Sequence, residues 1–352
     1  VDYNPKRAVA IRLSYLQGRQ MAIRCYHFPL YANTQNTFNR PHKMPRMPQR
    51  TSISYHYITT KKEKTMTPKI KNLIARTITG VLFVAIMVTC FLRPLSMVFV
   101  FALITSLSLW EYAGLVNENK GTSVNRFIST VAGTYLFLAV AGVNSGFIAT
   151  NAVFVPYLLT IVYLFVSELY TKANDPINNW AYTMLGQMYI ALPLSMINVL
   201  AFRQADNQIY FYHLLPLSVF IFLWTNDTGA YCSGSLFGKH KLFPRISPAK
   251  SWEGSIGGGI LVLLVAGLIG YLETQSTAPT NLTIPQWLGL GLVVVVFGTW
   301  GDLVESLFKR TLGIKDSGNI LPGHGGMLDR FDSSLMAIPA SVVYLYSLTL
   351  FQ

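Results

Sequence analysis

From residue 66 onward the chain alternates between long apolar runs and short polar breaks. Runs of roughly 16 to 24 residues, enough to cross a hydrocarbon core of about 30 Å, lie near 74–92, 95–115, 127–143, 147–168, 181–202, 209–225, 255–272, 286–308 and 334–351. They predict an all-α polytopic membrane protein with about nine transmembrane helices, because within lipid a helix satisfies every backbone group inside its own segment. The third, sixth and last runs are short and only Arg93-Pro94 separates the first two, so eight or ten spans also fit the pattern.

The polar breaks are unequal. With nine spans, one side collects Lys69, Lys71, Arg76, Lys120, Arg126, Lys172, Lys239, Lys241, Arg245, Lys250, Lys309, Arg310, Lys315 and Arg330, while the other has Arg93 and Arg203. That bias predicts two large charged loops in the cytoplasm and a C-terminus outside. Composition agrees: of 352 residues 51% are hydrophobic and 12% charged, against about 25% charged in soluble domains. The net charge of +13 does not call for nucleic acid, since 12 of the 28 Lys and Arg residues fall in residues 1–64, opposed only by Asp2 and Glu63. Residues 1–65 are read as a basic extension, a disordered tail or an upstream translation, with Met66 as the natural start and 66–352 as the membrane domain. Cys25, Cys90 and Cys232 have neither metal nor redox spacing and are expected as free thiols. Trp110, Tyr112, Trp180, Tyr182 and Trp287, near span ends, are expected to anchor at the interface. The Gly254/Gly258 spacing predicts close helix packing.

Two polar breaks carry chemistry. The eighth run ends GTWGDLVESLFKR, which puts Asp302, Glu305 or Ser306, and Lys309 along one helical face. A carboxylate in a membrane segment is costly unless paired, protonated or bound to a cation. One bland account is an Asp302–Lys309 pair that stabilises the bundle. Lys315-Asp316 follows in a loop, then Pro322-Gly323-His324-Gly325-Gly326 turns the chain back to Asp329-Arg330-Phe331-Asp332. Asp329 is therefore expected to meet Asp302 at the membrane face, making an oxygen-rich site suited to Mg²⁺, which keeps one or two protein carboxylates and takes its other ligands from water and phosphate. A lone His among aspartates argues against zinc. His324 reads as a phosphate donor or a turn residue. The glycines, Gly325 and Gly326 among them, let backbone N–H groups approach phosphate. In the other break, Asp227 ends the sixth run, Lys239, Lys241, Arg245 and Lys250 follow, and Ser247-Pro248 with Ser251 and Glu253 predicts a capped helix whose N-terminus suits phosphate.

These residues resemble a known family. Ser306-x-Phe308-Lys309-Arg310, then Lys315-Asp316-x-Gly318, then Leu321-Pro322-x-His324-Gly325-Gly326-Met327-x-Asp329-Arg330-Phe331-Asp332 is similar to the signature of phosphatidate cytidylyltransferases, the CDP-diacylglycerol synthases. Asp227-Thr228-x-Ala230-Tyr231, Phe237-Gly238-Lys239-x-Lys241-Leu242 and Ile246-Ser247-Pro248-x-Lys250-Ser251-x-Glu253-Gly254 resemble it too. The resemblance runs from about residue 66 to the C-terminus. It implies transfer of a cytidylyl group from CTP to phosphatidate in phospholipid synthesis, at the cytoplasmic face of a bacterial inner membrane. Asp302 and Asp329 would hold Mg²⁺, supported by Asp227, Glu305 and Asp316, with a monovalent cation such as K⁺ as an optional second ion. Lys239, Ser247, Lys250, Ser251, Lys309, Arg310, Lys315, His324 and Arg330 would bind the triphosphate or the lipid phosphate. A homodimer is also suggested. The chain departs from the pattern at Ser235, where Arg is expected, and at Ser251, where Thr is common.

Other classes fit less well. An ion-coupled transporter would place polar breaks near the midplane and show an inverted repeat. An enzyme consuming CDP-diacylglycerol would carry its own Asp-rich motif. A lipid-binding scaffold gives no reason for the acids.

Overall fold

The computed structural model describes residues 68–350 apart from 173–174, 206–207, 277–279, 319 and 321–324. The basic extension, Cys25 and His324 lie outside the described residues. Within them the apolar runs form helices: α1 (Pro68–Cys90), α2 (Pro94–Lys120), α3 (Arg126–Asn144), α4 (Val155–Tyr170), α5 (Pro176–Gly186), α6 (Leu192–Ser195), α7 (Ile197–Ala201), α8 (Leu214–Phe237), α9 (Trp252–Thr274), α10 (Ile284–Thr311), α11 (Leu328–Phe331) and α12 (Ser334–Leu350). Each predicted run falls on one or more of these elements. Seven helical stretches among the described residues are long and apolar enough to cross a membrane, and a shorter apolar stretch spans Thr77–Cys90. The seven do not include α8, whose middle carries Thr225, Asn226, Asp227 and Thr228.

The all-α expectation needs one correction. Two small antiparallel hairpins interrupt the helices, β1 (Phe202–Ala205) with β2 (Gln208–Phe211) and β3 (Lys241–Phe243) with β4 (Ser247–Ser251). The run at 209–225 therefore begins on a strand, and its helix starts at Leu214. A second irregularity lies between α5 and α6, where Gln187–Ala191 forms a π turn. Pro193 explains it: the ring removes one backbone donor and crowds the carbonyl four residues back.

Helix pairs close around small residues. A Cβ on Gly258 of α9 would come within 2.7 Å of the Asn226 carbonyl of α8. The predicted small-residue seam is thus where α8 and α9 touch, which suits a bilayer, where packing rather than apolar burial joins helices. Large apolar side chains such as Leu95, Phe99, Leu264 and Val343 face outward, as expected of surface solvated by lipid. Inside, Phe91, Phe101, Phe220 and Phe331 pack with ring centroids 5.4–6.2 Å apart, joining the turn after α1 to α2, α8 and α11. Two aromatics expected as anchors belong to this interior. Trp287 is fully buried against Phe222, and Tyr112 is buried with its hydroxyl donating to the Tyr182 carbonyl at 3.0 Å. Cys90 and Cys232 are free thiols.

Candidate active site

The short helix α11 places the acids. Leu328 and Phe331, three residues apart, are buried in the core, which turns the neighbouring pair Asp329 and Asp332 toward α10. Asp227, Asp302, Asp329, Arg330 and Asp332 then line one cavity of about 380 Å³, with Trp224, Phe83 and Ser333 on its walls. Asp302 and Asp329 do converge, as the turn between them predicts.

Each acid has a distinct set of partners. Asp329 is 9% exposed. Its Oδ1 accepts from Lys309 Nζ at 2.8 Å, and its Oδ2 accepts backbone N–H groups of Ser317 and Gly326, each at 2.8 Å. Lys309 also lies 2.5 Å from Glu305 Oε2, and Glu305 is wholly buried. Asp302 pairs instead with Lys250, which arrives from β4, and accepts from Ser306 Oγ at 3.1 Å. The Asp302–Lys309 pair weighed as a bland account is therefore replaced by two separate ion-pair systems. Asp227, Asp302 and Asp332 lie near enough to repel one another.

A second cavity of about 360 Å³ adjoins the first. Lys250, Ser251, Asn226, Tyr231 and Ser255 line it, and Asp227 lines both. Ser251 caps α9 by accepting the Gly254 N–H at 3.2 Å, as predicted. Lys250 with Asp302, beside Asp227, stands between the two spaces.

The other predicted residues are more scattered. Lys239, Arg310, Lys315 and Asp316 are exposed and line neither cavity. The Lys239 backbone N–H donates to Glu253, and Arg310 donates to the Ile314 carbonyl at 3.3 Å. Ser247 is half-buried at the start of β4. Gly325 has a left-handed φ of 82°, and its Cβ would come within 2.5 Å of Asp329 Oδ2. The Gly326 N–H, offered to phosphate by the sequence, is given to Asp329 here.

Two residues at this site have no role in the sequence analysis above, Asp332 and Glu111. Asp332 lines the cavity beside Asp302. Glu111, in α2, accepts from Ser317 Oγ and, at 2.7 Å, from the Met327 N–H. The signal for Glu111 was available: it is a lone acid inside an apolar run, which marks a functional site by default. Its neighbours Trp110 and Tyr112 carry the stronger local pattern, that of an interface anchor.

The donor set suits a hard divalent cation. Among the described residues the cavity walls supply carboxylate oxygens with no sulfur or imidazole, and four acids there face Arg330 with Lys250 and Lys309 as ion-pair partners. Among the described residues no three Asp, Glu, His or Cys side chains form a ready-made metal cluster. Mg²⁺ does not need one, because water and phosphate complete its shell.

A membrane-embedded helical bundle with an acidic cavity edged by cations is the architecture of an enzyme that handles phosphates beside lipid. A model of the cytidylyltransferase family matches residues 74–348, and the chain belongs to that family. It is 33% identical over 271 residues, 74% of this chain and 93% of the relative, to a phosphatidate cytidylyltransferase of Haemophilus influenzae. It is also 50% identical over 123 residues to enzymes of that name from Staphylococcus aureus and Staphylococcus haemolyticus, covering 35% of this chain and 45% of each relative.

Proposed function

We propose that this protein transfers the cytidylyl group of CTP to phosphatidate, forming CDP-diacylglycerol and pyrophosphate. The observation that carries the reading is the acidic cavity bounded by Lys250, Lys309 and Arg330 in a chain of this family. A phosphate oxygen of the lipid attacks the α-phosphorus of CTP, the new O–P bond forms, and the bond to the bridging oxygen breaks to release pyrophosphate. The nucleophile is already an anion near neutral pH, so no strong base is required. Catalysis then falls to positioning and charge neutralisation.

Asp302, Asp227 and Asp332 are the acids proposed to hold Mg²⁺ together with the triphosphate, with Asp329 behind them fixing Lys309. When bound, the cation would polarise the α-phosphate and offset the charge of the leaving pyrophosphate. Lys250 and Arg330 neutralise phosphate oxygens from two sides, and on substrate entry Lys250 exchanges Asp302 for phosphate. Glu305 supports the site through Lys309. A K⁺ ion beside the divalent metal and a homodimeric assembly are carried as proposals from the resemblance alone.

We count α1 and α8 as two further spans beside the seven, nine in all, with the cavity toward the cytoplasm of a bacterial inner membrane. The excess of Lys and Arg on the side of the β3–β4 hairpin and the α10–α11 loop supports this orientation. Residues 66–352 form the catalytic unit in this reading. Removing residues 1–65 is expected to leave turnover unchanged, measured on membrane-inserted protein.

The decisive assay is pyrophosphate release by detergent-purified protein given CTP and Mg²⁺, with and without phosphatidate, with the lipid phase checked for CDP-diacylglycerol. Release that depends on both lipid and metal is the expected result. No release from monodisperse protein would end the proposal.

A further inference from the structure

Glu111 is 7% exposed and lies inside the membrane-length helix α2. Among the described residues no Lys or Arg pairs with it. Its two oxygens are instead occupied by donors from one distant loop, Ser317 Oγ and the Met327 N–H, which stand 206 and 216 residues away in sequence. The same loop stretches are held from Asp329, which takes the Ser317 and Gly326 N–H groups. Two carboxylates thus grip the same two ends of the loop. Space is tight there: a Cβ on Gly318 would come within 2.7 Å of Glu111 Oε1, and Gly326 likewise has no room for one beside Glu111.

Helix α2 is itself fastened to α10. Tyr112 stacks on Phe308 with centroids 5.4 Å apart, next to Lys309, and Lys120 Nζ donates to the Thr311 carbonyl at 3.0 Å. Glu111 therefore stands on a rigid frame that is referenced to Lys309.

We propose that Glu111 is a positioning residue: a latch from α2 that holds Ser317 and Met327 in place, and through them fixes Asp329 and its pair with Lys309 at the cavity. The latch works by accepting hydrogen bonds, not by charge, since both partners are neutral donors. A glutamine should therefore serve. Its amide oxygen can accept from Met327, and its amide nitrogen can donate to Ser317 Oγ, whose hydroxyl both gives and receives.

The test uses full-length protein in lipid nanodiscs, read by pyrophosphate release and by amide hydrogen exchange across residues 313–327; the rate arm rests on the cytidylyl-transfer reading. Glu111→Ala is expected to lower kcat about 100-fold, the size of effect an ångström of misplacement produces, with KM for CTP nearly unchanged. It should also speed exchange at Ser317 and Met327 at least about tenfold by local opening. Glu111→Gln is expected to recover kcat to within about tenfold of wild type, the equivalent of one weakened hydrogen bond, and to restore protection. A Glu111→Gln enzyme as slow as Glu111→Ala overturns the proposal, because charge would then be what matters. So does Glu111→Ala with a wild-type rate or wild-type protection. If Glu111→Ala does not fold, Ser317→Ala removes one donor and should cost about tenfold in kcat with faster exchange in the same loop; no change in either overturns the latch. Should wild-type protein release no pyrophosphate, the functional reading fails while the exchange comparison still decides the latch.

Discussion

The two walls of the cavity are held in opposite ways. On the α10–α11 side Asp329 is fixed by Lys309 and two backbone amides, Lys309 is shared with buried Glu305, and Glu111 closes the loop behind them. On the α8–α9 side Lys250 reaches Asp302 from a short hairpin, with both side chains about a quarter exposed at 25% and 28%. The first wall is over-determined and sealed, so its geometry exists before substrate arrives. The second is partly exposed and held by one ion pair and one hydroxyl, so it is freer to change partners. Preorganisation and exchange are divided between two regions, as transfer between charged phosphates requires.

The comparison breaks most severely at Lys309. Lys309→Met would strand Glu305 and Asp329 as unpaired buried acids, and the expected cost is about 3–5 kcal/mol of stability, seen as a lower melting temperature in detergent together with lost turnover. An unchanged melting temperature would show that the sealed wall is not what holds the loop. Asp329→Asn comes next. One of its three donors loses its acceptor, and turnover should fall about 1,000-fold while the protein still inserts in membranes; near-wild-type rate would remove Asp329 from the site.

Lys250→Gln sharpens the contrast from the other side. A pair open to solvent in part contributes about 1 kcal/mol or less, so stability should barely move, while turnover drops about 100-fold through lost phosphate neutralisation. A large loss of stability would mean the second wall is structural as well. The smallest effect is expected at Ser306→Ala, which removes one hydrogen bond to Asp302 and should change stability by about 1 kcal/mol and turnover by only a few-fold. Thermal melts and initial rates on the same preparation separate these cases.

Much of this was legible in one dimension, and for a physical reason. Lipid demands that each crossing segment satisfy its own backbone, so spans announce themselves as apolar runs, and seven of the nine runs fall on helical stretches long and apolar enough to cross, while the run at 209–225 begins on a strand. The Gly254/Gly258 seam and the Ser251 cap were readable because both are local patterns. The acids Asp302 and Asp329 stood out because charge beside lipid needs compensation. The hairpin at Lys241–Ser251 was not readable, since it is short, polar and bulged, with no alternating face. Nor was the burial of Trp287, which depends on what packs above it.

By itself the sequence determined that this chain is a membrane protein of the cytidylyltransferase family, because solvent acts residue by residue and the family's motifs are local. Only the tertiary structure decided who pairs with whom. Lys309 goes to Asp329 and Glu305, Lys250 goes to Asp302, and Glu111 closes a loop 206 residues away. Those choices turn on distances across the bundle, where a buried charge takes whichever partner the packing brings within reach, and no spacing along the chain encodes that.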